Sequence, residues 1–180
     1  MVSGAQERTI SSWVTLFREL RKRTVEPVLH ASFVMYFCVA VVLVGGSGVW
    51  FEMHSYLLYA PTPEHPLPSS SALRTAVITF FPALAGSSCM QLIWAEDHHK
   101  SLRAFAITAL AALTAVVFAI APSAVSNSAA LSTGVVASIV ALWTWWIANA
   151  KQRDLLDIDA ATGKKDTGGD LPGNLDEFKV

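Results

Sequence analysis

Charged residues are scarce in this chain. Asp, Glu, Lys and Arg make up 15% of its 180 residues, whereas an ordinary soluble domain contains about 25%. The 13 basic and 14 acidic residues give a net charge of −1, which leaves no positive surplus for a nucleic-acid partner. Two cysteines are too few for a disulfide framework. With 53% hydrophobic residues, the composition excludes a disordered chain and indicates an integral membrane protein.

Asp, Glu, Lys, Arg and His are absent from four apolar blocks, at about 31–51, 75–95, 104–122 and 128–148. Each block is close to the roughly 20 residues that cross about 30 Å of hydrocarbon as a helix. The helices of a soluble four-helix bundle would carry a charged face, and these blocks do not. We therefore expect an all-α integral membrane protein whose transmembrane domain, residues 28–153, contains four transmembrane helices.

Lys and Arg are almost absent from two of the segments that connect the four blocks, the first and the third. Twelve of the thirteen fall before residue 31, between the second and third blocks, or after the fourth, and Arg74 is the exception. The positive-inside rule then predicts that both termini lie on the cytoplasmic side of the cell (inner) membrane. A cleaved signal peptide is not expected, because the first apolar run begins at residue 31 and extends for about 20 residues.

Residues 1–27 predict a cytoplasmic amphipathic helix. One face carries Ile10, Trp13, Val14, Phe17 and Leu20, and the other carries Arg18, Arg21 and Lys22. We expect Trp13, Phe17, Arg18 and Arg21 to contact the anionic surface of the lipid bilayer. The alternative is a basic flank that only sets the topology.

Small residues recur inside the apolar blocks. Gly134 and Ser138 are four residues apart in the fourth block, and Gly86 follows Pro82 in the second. Helices in lipid approach closely over small residues. These positions therefore predict helix packing, either within one chain or between copies in a homo-oligomer.

The C-terminal segment, residues 154–180, has seven acidic and three basic residues. It is too polar to bury a core, and we expect it to be a disordered cytoplasmic tail. Leu155, Leu156, Leu175 and Phe178 interrupt its acidic residues. Apolar residues spaced in this way suit a segment that binds a soluble cytoplasmic protein, and the alternative is an inert tail.

Catalytic residues are not evident in the sequence. The blocks contain no base, no paired carboxylates and no histidine, so we expect no enzyme activity, no cofactor and no metal site.

The first hypothesis for the function is a multi-pass membrane subunit that anchors, senses or recruits a soluble partner. A protective protein of bacterial defence or immunity is a hypothesis from architecture alone. The alternative is a small oligomeric channel lined by Thr75, Thr79, Ser87, Ser88 and Gln91.

Overall fold

The computed structural model describes residues 3–58, 70–95 and 100–157, without the side chains of residues 3–12, 95 and 153. Every described element is helical. The order is α1 (Ser3–Val25), a 3-10 turn (Glu26–Leu29), α2 (Ala31–Tyr36), a π-helical segment (Phe37–Gly45), α3 (Ser47–Leu58), α4 (Ser70–Ala95), α5 (Lys100–Ile120), α6 (Asn127–Asn149) and a closing 3-10 turn (Arg153–Leu155). The prediction of an all-helical chain is confirmed for these residues.

Helices α4, α5 and α6 form the centre of the fold. Bulky side chains of α4 and α5 fill the space beside small residues of α6, and together they form the main apolar core: Val77, Phe81, Ala85, Leu113, Ile120, Ala130, Ala137 and Ala141. The small residues of α6 let its backbone approach α4 closely, so that dispersion contacts hold the two helices together.

Arg74 holds the link between α5 and α6. Its guanidinium donates to the carbonyl oxygens of Ile120, Ala121, Pro122 and Val125 and to Asn127 Oδ1, over 2.6–3.3 Å. The last carbonyls of a helix have no partner within it, and a cation near them is favourable. The Arg74 guanidinium is therefore held by the end of α5 and the link that follows it.

The first apolar block is not one regular helix. It begins as α2, continues as the π-helical segment, and is interrupted at Gly46 before α3 begins. A Cβ at Gly46 would collide with the carbonyl oxygen of Val42 and lie 3.0 Å from Trp50 Nε1. That indole donates to the same carbonyl at 2.8 Å. The sequence predicted an uninterrupted span over 31–51, and the interruption arises because the bare glycine lets Trp50 reach the backbone of the preceding turn.

Helix α1 meets the first block at a sharp bend. The axes of residues 13–29 and 31–45 differ by 95°, and the chain turns through the short 3-10 segment that contains the buried Pro27. Leu16 and Leu20 of α1 pack against the end of α4, the start of α5 and the end of α6, through Cys89, Leu92, Leu102, Ala106 and Ile147. Helix α1 therefore closes one end of the bundle.

Three of the described helices are long and apolar enough to cross a membrane: Ser70–Trp94, Lys100–Ile120 and Asn127–Asn149. The number rises to four if the bent pair formed by residues 13–29 and 31–45 is counted as one span. The apolar helices are thus compatible with a membrane protein.

Candidate functional site at the junction of the chain ends

Aromatic side chains cluster where α2 begins and α6 ends. Phe33 lies edge-on to Trp146 with ring centroids 4.8 Å apart, and Phe37 does the same at 4.9 Å. Both phenylalanines also contact Trp145, at 6.1 and 5.6 Å. Edge-to-face rings at such distances stabilise a fold by more than the burial of their apolar area alone. This aromatic cluster (Phe33, Phe37, Trp145 and Trp146) attaches the start of the first block to the end of the last.

Two indole groups near the end of α6 form hydrogen bonds to α1. Trp143 Nε1 donates to Thr24 Oγ1, and Trp146 Nε1 donates to the Thr24 carbonyl oxygen, both at 3.2 Å. Tryptophans at the end of a transmembrane helix are typically membrane-interface anchors. Here they bond to protein, and no sequence signal distinguishes the two uses.

A cluster of charges joins α1 to the residues after α6. Glu19 accepts from Arg23 at 2.9 Å and from Lys151 at 2.7 Å, and Arg23 is only 1% exposed. Burial would raise the pKa of Glu19, but the bonds and charges of Lys151 and Arg23 outweigh it and lower that pKa to about 2. A carboxylate with two cationic partners is stabilised in its ionised form.

The residues after α6 fold back onto the first block. Leu155 and Leu156 are half-buried and pack beside the aromatic cluster. The carboxylate of Asp157 accepts the backbone N–H of Ser32 at 3.2 Å. Bonds from Ser32 and Ala31, together with the charge of His30, lower the pKa of Asp157. A carboxylate here caps the free amides at the start of α2.

The predicted partner-binding residues are therefore divided. The structure places Leu155 and Leu156, both half-buried, against the protein's own aromatic cluster. Leu175 and Phe178 lie outside the described residues, as does the rest of the C-terminal segment after Asp157.

The predicted membrane-surface residues separate into two groups around α1. Trp13 and Phe17 are 58% and 65% exposed and their rings lie 6.4 Å apart. Trp13 borders an open groove of about 290 Å³ against α5, formed with Leu16, Ser101, Ala104, Phe105 and Thr108. Arg18 and Arg21 are exposed on another side of the helix. Leu20, which the sequence placed on the lipid face, is instead buried in the bundle.

The predicted packing residues also occupy different surroundings. Gly134 is buried between α6 and α4, and a Cβ there would lie 2.6 Å from Val77 Cγ1. Ser138 donates to the carbonyl oxygen of Gly134 at 2.8 Å. Gly86 has open space where its Cβ would be. Gly134 therefore packs within one chain, and a second copy could not use the surface that α4 already covers.

The polar residues predicted to line a channel lie on α4. Ser88 is buried in the bundle, whereas Thr75, Thr79, Ser87 and Gln91 are exposed. The hydroxyl groups of the two threonines and the two serines donate to carbonyl oxygens of their own helix at 2.6–3.0 Å. Within a single chain these side chains do not enclose a pore.

Metal-binding groups do not gather in the part of the chain that the structure describes: no three His, Cys, Asp or Glu side chains come together there. No protein-family model, no curated protein and no solved structure matches this chain. The class that the fold defines is an all-helical protein with three to four helices apolar enough to span a membrane.

Proposed function

We propose that this chain is a non-catalytic, multi-pass protein of the cell (inner) membrane that recruits a soluble cytoplasmic partner through its C-terminal segment. The observation that carries the proposal is the attachment of Leu155, Leu156 and Asp157 to the start of the first apolar block. A segment that begins from a fixed point on the bundle presents the residues after it close to the membrane surface. An inert tail would need no such attachment.

In the proposed membrane orientation, both termini lie in the cytoplasm. Twelve of the thirteen Lys and Arg residues fall on that side of the threading. The remaining base, Arg74, makes five hydrogen bonds that close the end of α5, so its position has a structural reason and does not weaken the charge asymmetry. The exposed rings of Trp13 and Phe17 suit the interfacial layer of the bilayer beside α5.

The experiment compares three full chains in native membranes. We expect chemical cross-linking followed by mass spectrometry to identify a soluble partner, whose purified form then binds the purified wild-type protein. A Leu175→Ser/Phe178→Ser variant should lose that binding, because apolar anchors are removed while charge is kept. The control variant, Thr167→Ser/Asn174→Ser, changes two polar residues of the same segment and should bind normally.

Equal binding by all three proteins would contradict recruitment through the C-terminal segment.

A membrane subunit of this kind suits a bacterial defence or immunity system, in which a soluble effector meets its target at the membrane. Protection of cells against a phage or a pore-forming toxin, lost with Leu175→Ser/Phe178→Ser, would support that setting.

The alternative function is a small oligomeric channel. The observation in its favour is the exposure of Thr75, Thr79, Ser87 and Gln91 on α4, away from the main core. Several copies would have to bring these faces together around a pore. Ion flux into liposomes that contain the purified protein, reduced by Thr79→Val, would favour the channel over the recruiting subunit.

A further inference from the structure

Three basic side chains form an exposed row along α1. Arg18, Arg21 and Lys22 are all exposed and, with Val25 and Glu26, surround an open hollow of about 380 Å³. The only acidic member, Glu26, lies 3.6 Å from Lys22, and both of these side chains are more than half exposed. We call Arg18, Arg21, Lys22 and Val25 the basic strip.

The direction of the basic strip argues against a lipid bilayer as its occupant. At about 100° per residue, the strip is centred about 170° from the face that carries Leu16 and Leu20. That face packs onto the converging ends of α4, α5 and α6. The strip therefore points away from the bundle end, whereas Trp13 and Phe17 occupy the flank of α1 beside α5.

The chain contains a segment whose chemistry complements this strip. Residues 170–178 hold three carboxylates, Asp170, Asp176 and Glu177, and no basic residue. Leu171, Leu175 and Phe178 accompany the acids, just as Val25, 56% exposed, accompanies the bases of the strip. Residues 170–178 thus complement the basic strip in charge, and both carry apolar side chains beside their charges.

The attachment of Asp157 places this acidic segment within reach of the strip. Asp157 is bonded to Ser32, and the path from Ser32 back to Lys22 is at most about 20–25 Å by the rise of its helical turns. Asp170 follows Asp157 by 13 residues. Thirteen residues can extend over at most about 43–47 Å, which is more than this gap.

We propose that residues 170–178 dock on the basic strip of α1 and thereby hold the recruiting segment on the outer face of that helix. The regulatory consequence rests on the proposed function: a soluble partner must compete with the strip for Leu175 and Phe178. The docking itself is a property of the isolated chain, so it is tested without any partner.

The test uses full-length protein in lipid nanodiscs, in a Cys38→Ser/Cys89→Ser background with cysteines introduced as Val25→Cys and Asn174→Cys. With diamide added as the two-electron oxidant, we expect the two thiols to form a disulfide. Its rate should fall at least tenfold with Arg18→Glu/Arg21→Glu or with Asp176→Lys/Glu177→Lys. Combining both pairs of changes should restore the rate, because each reversed charge again faces its opposite. The matched control is Lys100→Glu, which reverses an exposed base at the same end of the bundle and should leave the rate unchanged.

The outcomes separate this proposal from its competitors. Rates that ignore both reversals, or a combined variant that remains slow, overturn the docking. Cross-linking seen in phosphatidylcholine but lost with phosphatidylglycerol present shows that lipid headgroups occupy the strip, and this also overturns it. Partner binding with no disulfide would leave recruitment standing and refute only the docking.

Discussion

Replacing Gly134 with alanine tests the close packing of α6 on α4. The new Cβ would lie 2.6 Å from Val77 Cγ1, about 1 Å inside the distance at which carbon atoms attract. Val77 is 3% exposed within the main core, so its side chain has little room to move. Overpacking of this kind costs about 1–3 kcal/mol.

The matched control is Gly86→Ala. Both changes gain the same helix propensity, about 1 kcal/mol, but a Cβ at Gly86 meets open space. The free energy of unfolding should therefore be lower for Gly134→Ala than for Gly86→Ala by about 1–3 kcal/mol. Titration of both proteins with sodium dodecyl sulfate in mixed micelles, followed by circular dichroism, measures the difference.

A double variant identifies the atom responsible. In a Val77→Ala background the clashing Cγ1 is gone, so Gly134→Ala should cost nothing further, and the two changes should couple by about 1–3 kcal/mol. If Gly134→Ala and Gly86→Ala unfold alike, or if Val77→Ala gives no rescue, α6 does not pack on α4 as described.

Three further outcomes follow from other contacts. Arg74→Gln should lower the free energy of unfolding by about 2 kcal/mol, because it leaves the last carbonyls of α5 without their charged donor, and Arg74→Lys should recover only part of it; equal stability of the lysine variant and wild type would refute this. Gly46→Ala should displace the Trp50 indole from the Val42 carbonyl, which a red-shifted Trp50 fluorescence in a variant with Trp50 as its sole tryptophan would report, and an unchanged spectrum would contradict it. Glu19 has its pKa lowered from 4.5 to about 2 in the folded protein, so its contribution to stability is complete above pH 4.5 and is lost as the pH falls towards 2. Between pH 4.5 and 2, the melting temperature should therefore fall less steeply for Glu19→Gln than for wild type. Equally steep falls would show that Glu19 is not responsible for the loss of stability in acid.

The helical content could be predicted from the sequence because the signal is local. Four blocks without a charged residue leave few alternatives to helices, since unpaired backbone groups are costly in lipid. The described bounds of α4, α5 and α6 contain nearly all of the three blocks that predicted them. The break at Gly46 was missed because it depends on one indole reaching a carbonyl eight residues earlier, which composition does not encode.

The junction of the chain ends could not be predicted, because its contacts join residues more than a hundred positions apart. Thr24 meets Trp143 and Trp146, and Ser32 meets Asp157. From sequence alone, tryptophans near a helix end and an acidic residue after it each have an ordinary explanation as interface anchors and solvated charge. Neither explanation encodes the 95° bend between α1 and the first block, which lies between Thr24 and Ser32.

The arrangement of these contacts also links the first block to the C-terminal segment. Between that block and α4 lies an open cavity of about 380 Å³, bordered by Ala40, Gly45, Thr79 and Ala83, so the middle of the block is loosely packed. Its start, in contrast, is held by the aromatic cluster and by the cap that Asp157 provides. The first block is therefore attached to the rest of the protein most closely at its start, where the aromatic cluster and residues 155–157 contact it.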